Sequence, residues 1–227
     1  MNFGYKKNDN SKLFTSLEQT ELLNVENPQN YIPIYKRFFS LTSSNKETIN
    51  LNNNFSLHDI SEKETENKFN GTVIDISNNI YKKKIFFKLS PLLDPIKYMT
   101  DKYDLSNSDL LNLPEYDISN SHKKVRDVNN SAYVDSFFTY LSSQILHNHN
   151  FFHGVDFYGS FLAHKLDYMV DIADDIEYLF ESKNFNKNKN SLFVLDNKFH
   201  SDIFNYDTRN YKKKLIIEDN YQDNIQL

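Results

Sequence analysis

The stretch SAYVDSFFTYLSSQILH at residues 131–147 carries the strongest periodic signal in the chain. Five apolar side chains recur in it at helical spacing: Val134, Phe137, Phe138, Leu141 and Ile145. Because residues at this spacing share one side of an α-helix, the pattern predicts an amphipathic helix whose apolar side is buried. Asn130 or Ser131 is placed to cap this helix. The negative charge of Asp135 stabilises the helix by its interaction with the positive N-terminal end of the helix dipole.

Strands are predicted on both sides of this helix. The segments GTVIDIS at 71–77 and IYKKKIFFKLS at 80–90 are rich in β-branched and aromatic residues, as are FHGVDFYGSFLA at 152–163 and LDYMVDIA at 166–173. Shorter helices are expected after Pro95 and in DDIEYLFES at 174–182. The sequence therefore predicts an α+β fold, with an antiparallel sheet of about five strands packed on one long amphipathic helix.

The chain has 227 residues, which suits one domain with an additional arm. Residues 1–30 are mostly polar and predict a flexible N-terminal arm, with one short amphipathic segment around Leu13, Leu17 and Leu22. Residues 31–200 are expected to form the α+β domain. Residues 201–227 predict a peripheral strand and a tail.

Composition excludes several classes of function. The chain has no cysteine, so disulfides, zinc–thiolate sites and thiol catalysis are excluded. With 26 basic and 31 acidic residues its formal net charge is −5, which disfavours a general nucleic-acid binder. No run approaches the roughly 20 apolar residues that span a bilayer, and the first residues lack the apolar core of a signal peptide. We therefore expect an intracellular protein with no membrane partner and no specific nucleic-acid partner.

Three segments in order resemble the small lobe of a protein kinase: Asn150-Phe151-Phe152, the FYGSF of residues 157–161, and the DIEYL of residues 175–179. They resemble the turn after helix C, strand four and the acidic-aromatic hinge. The segments KIFFKLSPLLDPIKYM, NSAYVDSFF and HGVDFYGSFLAHK are more narrowly similar to serine/threonine-type kinase-like proteins of large DNA viruses of the mimivirus kind. The resemblance covers about residues 70–195.

The resemblance implies specific site residues. Lys88 in IFFKLS matches the strand-three lysine, which would hold nucleotide phosphates and pair with a carboxylate of helix C. Asp135 is the helical carboxylate available for that pair, and Gly71 is the glycine available for a phosphate-binding loop. The implied ligands are ATP and Mg²⁺, and the implied location is the host cytoplasm or the virion. Taken alone, Lys88 is equally an ordinary lysine at a strand end, and Asp135 a stabiliser of the helix dipole.

About 50 residues follow the hinge-like segment, too few for a catalytic lobe. We therefore assign no catalytic residue and expect at most weak ATP binding, without phosphotransfer unless a second chain supplies a large lobe. The chain is then a fragment of a longer kinase-like protein, a pseudokinase-like module, or an unrelated α+β protein with similar periodicities. The alternative function is a non-enzymatic interaction protein or a virion-associated scaffold that binds a virion protein.

Three other motifs have two interpretations each. His147, His149 and His153 have a spacing found in metal sites, but the preceding helical pattern favours a polar loop, and no metal is expected. The acidic cluster at 171–177 could bind Mg²⁺, but more simply it opens a helix. The lysine triplets at 82–84 and 212–214 could contact phosphates, but they are also typical of edge strands protected against pairing.

Overall fold

The computed structural model describes residues 4–196. The fold in this range is α+β, with small antiparallel sheets and a few helices. The chain divides between Val170 and Asp171 into two compact units, residues 1–170 and residues 171–227. None of the helices in the described range is long and apolar enough to cross a membrane. The predicted peripheral strand and tail at 201–227, with the second lysine triplet, lie outside the described residues.

Seven strands lie within residues 4–196, and they form three separate sheets. Their bounds are β1 Tyr5–Lys7, β2 Val25–Gln29, β3 Ile49–Leu51, β4 Phe55–Lys63, β5 Lys68–Asp75, β6 Ile80–Phe86 and β7 Leu162–Lys165. Strand β1 pairs with β3, strand β2 pairs with β7, and β4, β5 and β6 form a three-stranded meander; all pairings are antiparallel. Strands β5 and β6 confirm the two strands predicted from the sequence at 71–77 and 80–90.

The α-helices of the described range are α1 Ser11–Gln19, α2 Pro95–Met99, α3 Lys123–Arg126, α4 Ser131–His149, α5 Ile176–Glu181 and α6 Lys183–Asn188, and 3₁₀ helices lie at Pro33–Arg37 and Ala173–Asp175. Helix α4 confirms the predicted long helix. The Asn130 side chain caps it by accepting the backbone N–H of Ala132 at 3.1 Å. Asn150 ends it with a left-handed backbone at φ 55°.

Helix α4 packs in a core built largely from residues that precede the meander. Its buried members are Tyr31, Ile32, Ile34, Tyr35, Leu41, Ile49, Leu51, Tyr133, Phe137, Tyr140, Phe157 and Leu162. Phe137 stacks on Phe38 with ring centroids 4.3 Å apart. Burial of this set of apolar and aromatic side chains is the main stabilising term for the helix.

The three-stranded meander belongs to a second core. Its buried face carries Ile60, Phe69, Val73 and Ile85, and it is covered by Leu17 of α1 and by Leu23 and Val25 just after it. Residues 4–30, predicted as a flexible arm, therefore hold β1, α1 and β2 and supply part of the core. The amphipathic segment predicted around Leu13, Leu17 and Leu22 supplies this contact: Leu17 is buried, and Leu13 and Leu22 pack against the same core.

The predicted sheet of about five strands on the long helix differs from this arrangement. The largest sheet in the described range has three strands, and its main helical cover is α1. Of the two strands predicted at 152–173, only Leu162–Lys165 forms one, and it pairs with β2. Each apolar surface is buried by a different segment. Helix α1 covers the apolar face of the meander, and the 31–51 region covers the apolar side of α4, so no single large sheet is needed to bury them.

The buried side of helix α4 overlaps the predicted one only in part. Of the five predicted apolar positions, Phe137 is buried and Leu141 packs against the core, as expected. The buried positions Tyr133, Phe137, Tyr140 and Gln144 each precede by one residue the other four predicted positions, Val134, Phe138, Leu141 and Ile145. Successive residues of an α-helix are about 100° apart around its axis, so these four positions lie beside the buried side of the helix and are not centred on it. Val134 is 46% exposed and Phe138 is 69% exposed. We call Val134, Phe138, Leu141 and Ile145 the α4 stripe.

The second unit is organised around α5 and α6. Leu179 and Phe185 are fully buried, and Phe185 stacks on Phe193 with ring centroids 5.5 Å apart. The Ser182 hydroxyl accepts the backbone N–H of Phe185 at 3.3 Å and so caps α6. Helix α5 confirms the helix predicted in DDIEYLFES.

The neighbouring phenylalanines Phe137 and Phe138 test the observed rotation of α4. Replacing buried Phe137 by alanine removes a core side chain, and we expect the free energy of unfolding to fall by about 3–5 kcal/mol. The matched variant Phe138→Ala should change it by less than about 0.5 kcal/mol, because Phe138 is exposed. Urea unfolding followed by circular dichroism measures both. Equal losses for the two variants would contradict the observed register.

Candidate functional site

Lys88 and Asp135 are brought together from two separate elements. Strand β6 ends at Phe86, and Phe87 is fixed by its N–H bond to the Asn67 carbonyl at 2.8 Å and by ring contact with Phe69 at 5.3 Å. Lys88 follows directly and extends towards α4. Asp135 lies near the start of that helix, whose first turn is held because capping Asn130 also donates to the Leu92 and Lys124 carbonyls at 2.9 Å each.

The two side chains form an ion pair. The Lys88 Nζ lies 2.7 Å from Asp135 Oδ2 and 2.9 Å from Asp135 Oδ1, so the ammonium contacts both carboxylate oxygens. The side chains are 61% and 43% exposed, respectively. Water screens a pair in this position, so its attraction is weak and the lysine is free to exchange the carboxylate for another anion.

Gly71 lies inside β5, away from any loop. It is paired with Ile60 of β4 and Lys83 of β6, and a Cβ at this position would overlap the Asp59 carbonyl oxygen and come within 2.8 Å of Ile85 Cδ1. The glycine therefore permits close approach of strands and side chains at the centre of the meander. The resemblance implied a phosphate-binding loop at Gly71, whereas in the structure this residue lies within a strand and serves sheet packing.

The three histidines of the HNHNFFH segment have different surroundings. His147 Nε2 lies 2.8 Å from Asp156 Oδ1, and both side chains are mostly buried. His149 closes α4, and the ring of His153 contacts Phe151 with centroids 5.8 Å apart. Within residues 4–196 no group of three or more histidines, cysteines or carboxylates is placed to hold a metal ion. The His147–Asp156 pair ties the end of α4 to the following segment.

A pocket of about 210 Å³ that the sequence did not indicate lies beside the 3₁₀ helix Pro33–Arg37. Its lining includes Tyr31, Lys36, Tyr116, Asp117 and Arg126. Lys36 Nζ donates to the Tyr116 carbonyl at 2.7 Å and lies 4.3 Å from the Tyr116 ring centroid. Burial raises the pKa of Tyr31 to about 12, helped by Tyr116 and the Asp117 charge, so this hydroxyl stays protonated at neutral pH. The pocket includes none of Lys88, Asp135 and Gly71.

The α4 stripe is the other candidate site, and its members Val134 and Phe138 are exposed although the sequence pattern predicts them to be buried. Val134 and Phe138 lie one turn apart, with Asp135 of the ion pair beside them. Leu141 is partly buried against the core, and Ile145 is also half-buried. The signal for the true buried side was the tyrosines, whose hydroxyls lower their apparent hydrophobicity although their rings fill a core well.

We compared the chain with known protein families, curated proteins and solved structures. No family of known proteins, no curated protein and no solved structure matches this chain.

The exposed ion pair generates a quantitative prediction. In a double-mutant cycle with Lys88→Met and Asp135→Asn, we expect a coupling free energy of about 0.2–1 kcal/mol, since both groups are solvated. Raising the salt concentration should reduce it further because free ions screen the pair. Urea unfolding of the four proteins at two ionic strengths measures the coupling. A salt-independent coupling of several kcal/mol would show that the pair is desolvated in solution.

Proposed function

We propose that this chain is a non-enzymatic interaction protein that binds a helix of a partner protein through the α4 stripe. The observation that carries this proposal is the exposure of Phe138 and Val134, one turn apart on the longest described helix. Single exposed apolar residues are common, but two residues one turn apart on a rigid helix form a row that an amphipathic helix can cover.

The energetics favour a partner at this place. A partner that buried Phe138 fully would gain roughly 1.5–3 kcal/mol from that side chain alone. The helix needs no rearrangement to bind, because its adjacent side is already fixed in the core by Tyr133, Phe137 and Tyr140. Preorganisation of this kind lowers the entropy cost of association.

Photo-crosslinking tests the proposed partner. With a photoreactive amino acid in place of Phe138, full-length chain expressed in cells should give a discrete adduct with another protein, since this position contacts the partner. The matched control replaces Phe152, an 84% exposed phenylalanine outside the helix. Equal crosslinking from both positions would indicate unspecific contact and contradict the proposal. An adduct with the mass of two copies would identify the occupant as a second copy of the chain instead.

A second candidate function is that of a viral serine/threonine-kinase-like protein, which the ion pair between Lys88 and Asp135 favours. In this proposal Lys88 exchanges Asp135 for the phosphates of ATP bound with Mg²⁺, without phosphotransfer by this chain alone. A small-lobe-like sheet, a second chain with a large lobe, and a location in the host cytoplasm or virion belong to this proposal. Gly71 does not support this second candidate, because it packs within the sheet and does not lie in a phosphate-binding loop.

Thermal unfolding with ATP and Mg²⁺ tests the second candidate. Ligand at about 100 times its dissociation constant should stabilise the protein by roughly 2.7 kcal/mol. Lys88→Met should abolish this stabilisation, whereas Lys82→Met, which removes another exposed lysine, should retain it. The absence of a shift at millimolar ATP, or equal shifts in both variants, would rule out this role for Lys88.

A further inference from the structure

Strand β6 presents an open edge. In the meander β4-β5-β6 it pairs with β5, and within residues 4–196 no strand pairs with its other side. The bond from the Phe87 N–H to the Asn67 carbonyl, at 2.8 Å, shows that odd-numbered residues of this strand bond inward. The backbone N–H and C=O groups of Ile80, Lys82, Lys84 and Phe86 therefore point outward.

This edge differs from the other edge of the same sheet. Strand β4 has two irregularities in its pairing with β5, and its Leu57 N–H is bonded to the Tyr158 carbonyl at 2.9 Å. Bulges and covering segments of this kind are how proteins blunt a sheet edge. The pairing of β6 with β5 runs without a register shift from residue 80 to residue 86. The meander thus has one blunted edge and one regular edge.

The open strand is basic on an acidic protein. It carries Lys82, Lys83 and Lys84 in a chain with net charge −5. Lys84 is neutralised by Glu64, whose carboxylate lies 2.7 Å from its ammonium, and this contact raises the pKa of Lys84. The side chains of Lys82 and Lys83 have no hydrogen bond or ion pair to other described residues, and they lie on opposite faces of the strand.

Apolar side chains flank the two unpaired lysines. Ile80 is 55% exposed at one end of the strand, and Phe86 is 61% exposed at the other. Lysines alone would protect an edge from pairing, but exposed apolar residues at both ends also offer contacts to an added strand. Antiparallel pairing of β6 with a second copy of itself would place the lysine triplets opposite each other, which like-charge repulsion disfavours.

We propose that β6 binds an extended acidic segment of a partner protein, which adds to the meander as a fourth, antiparallel strand. The backbone of the segment bonds to the outward groups of residues 80, 82, 84 and 86. Adjacent carboxylates on the segment pair with Lys82 on one face and Lys83 on the other, and apolar residues contact Ile80 and Phe86. The site differs from the α4 stripe and does not depend on the function proposed for that stripe.

A designed peptide tests this surface. The probe is fluorescein-labelled Val-Thr-Thr-Glu-Glu-Thr-Val, which matches β6 in length and sets its two glutamates opposite Lys83 and Lys82 in antiparallel register. Fluorescence polarisation with the full chain should show saturable binding. Lys82→Glu/Lys83→Glu should weaken it about tenfold through loss of two exposed charge pairs, and a peptide with two lysines in place of the glutamates should bind that variant better than wild type.

Matched controls separate strand addition from simple charge attraction. N-methylation of the peptide residues opposite 82 and 84 removes bonds to the edge, so it should abolish binding, whereas N-methylation of the residues opposite 81 and 83 should be tolerated. Lys12→Glu/Lys102→Glu, an equal charge change elsewhere, and Phe138→Asp should leave binding within about twofold. No binding at millimolar protein, equal effects of the two methylation patterns, or equal effects of the two lysine double variants would overturn the proposal.

Discussion

The rotation of α4 depends on two buried tyrosines. Tyr133 is 2% exposed and donates its hydroxyl to the Val125 carbonyl at 2.7 Å. Tyr140 is fully buried and donates to the Asn52 side chain, while the Gly4 N–H donates to the Tyr140 hydroxyl at 3.2 Å. Leaving such a buried hydroxyl without a partner costs about 1–3 kcal/mol, so any other rotation of the helix would lose both burial and these bonds. Burial also raises the pKa of both hydroxyls, which stay protonated at neutral pH.

Burial of these two tyrosines decides which side chains of α4 are exposed. Once the tyrosine side faces the core, Val134 and Phe138 are left outside, and Asp135 is placed where Lys88 reaches it. The same packing gives the helix and the meander different cores, because the helix packs on the 31–51 region while the meander is covered by α1. An apolar row and an accessible ion pair therefore adjoin on one rigid helix. The proposed interaction surface rests on this arrangement.

The first unit carries two surfaces with different chemistry. The α4 stripe is apolar and preorganised, and it matches a partner whose own helix is amphipathic. The edge of β6 offers unpaired backbone groups and two unpaired lysines among the described residues, and it matches an extended acidic partner. An exposed, weakly held lysine such as Lys88 fits an interaction protein as readily as a nucleotide-binding one, because a solvated ion pair exchanges its partner at little cost. The separation of these features lets each be altered alone.

Local sequence pattern determined helix α4, strands β5 and β6, helix α5 and the α+β class, and it narrowed the cap of α4 to Asn130 or Ser131. Each of these depends on backbone preferences and on spacing within one segment. The pairing of Lys88 with Asp135 is an expectation only of the resemblance to protein kinases, and in the structure the two side chains form an ion pair. The tertiary structure alone decided which side of α4 is buried, that α1 covers the meander, and that Gly71 serves sheet packing. These outcomes depend on contacts between residues far apart in the chain, such as Gly4 with Tyr140. A hydrophobic pattern ranks tyrosine below valine, whereas a core accepts tyrosine fully once a distant partner satisfies its hydroxyl.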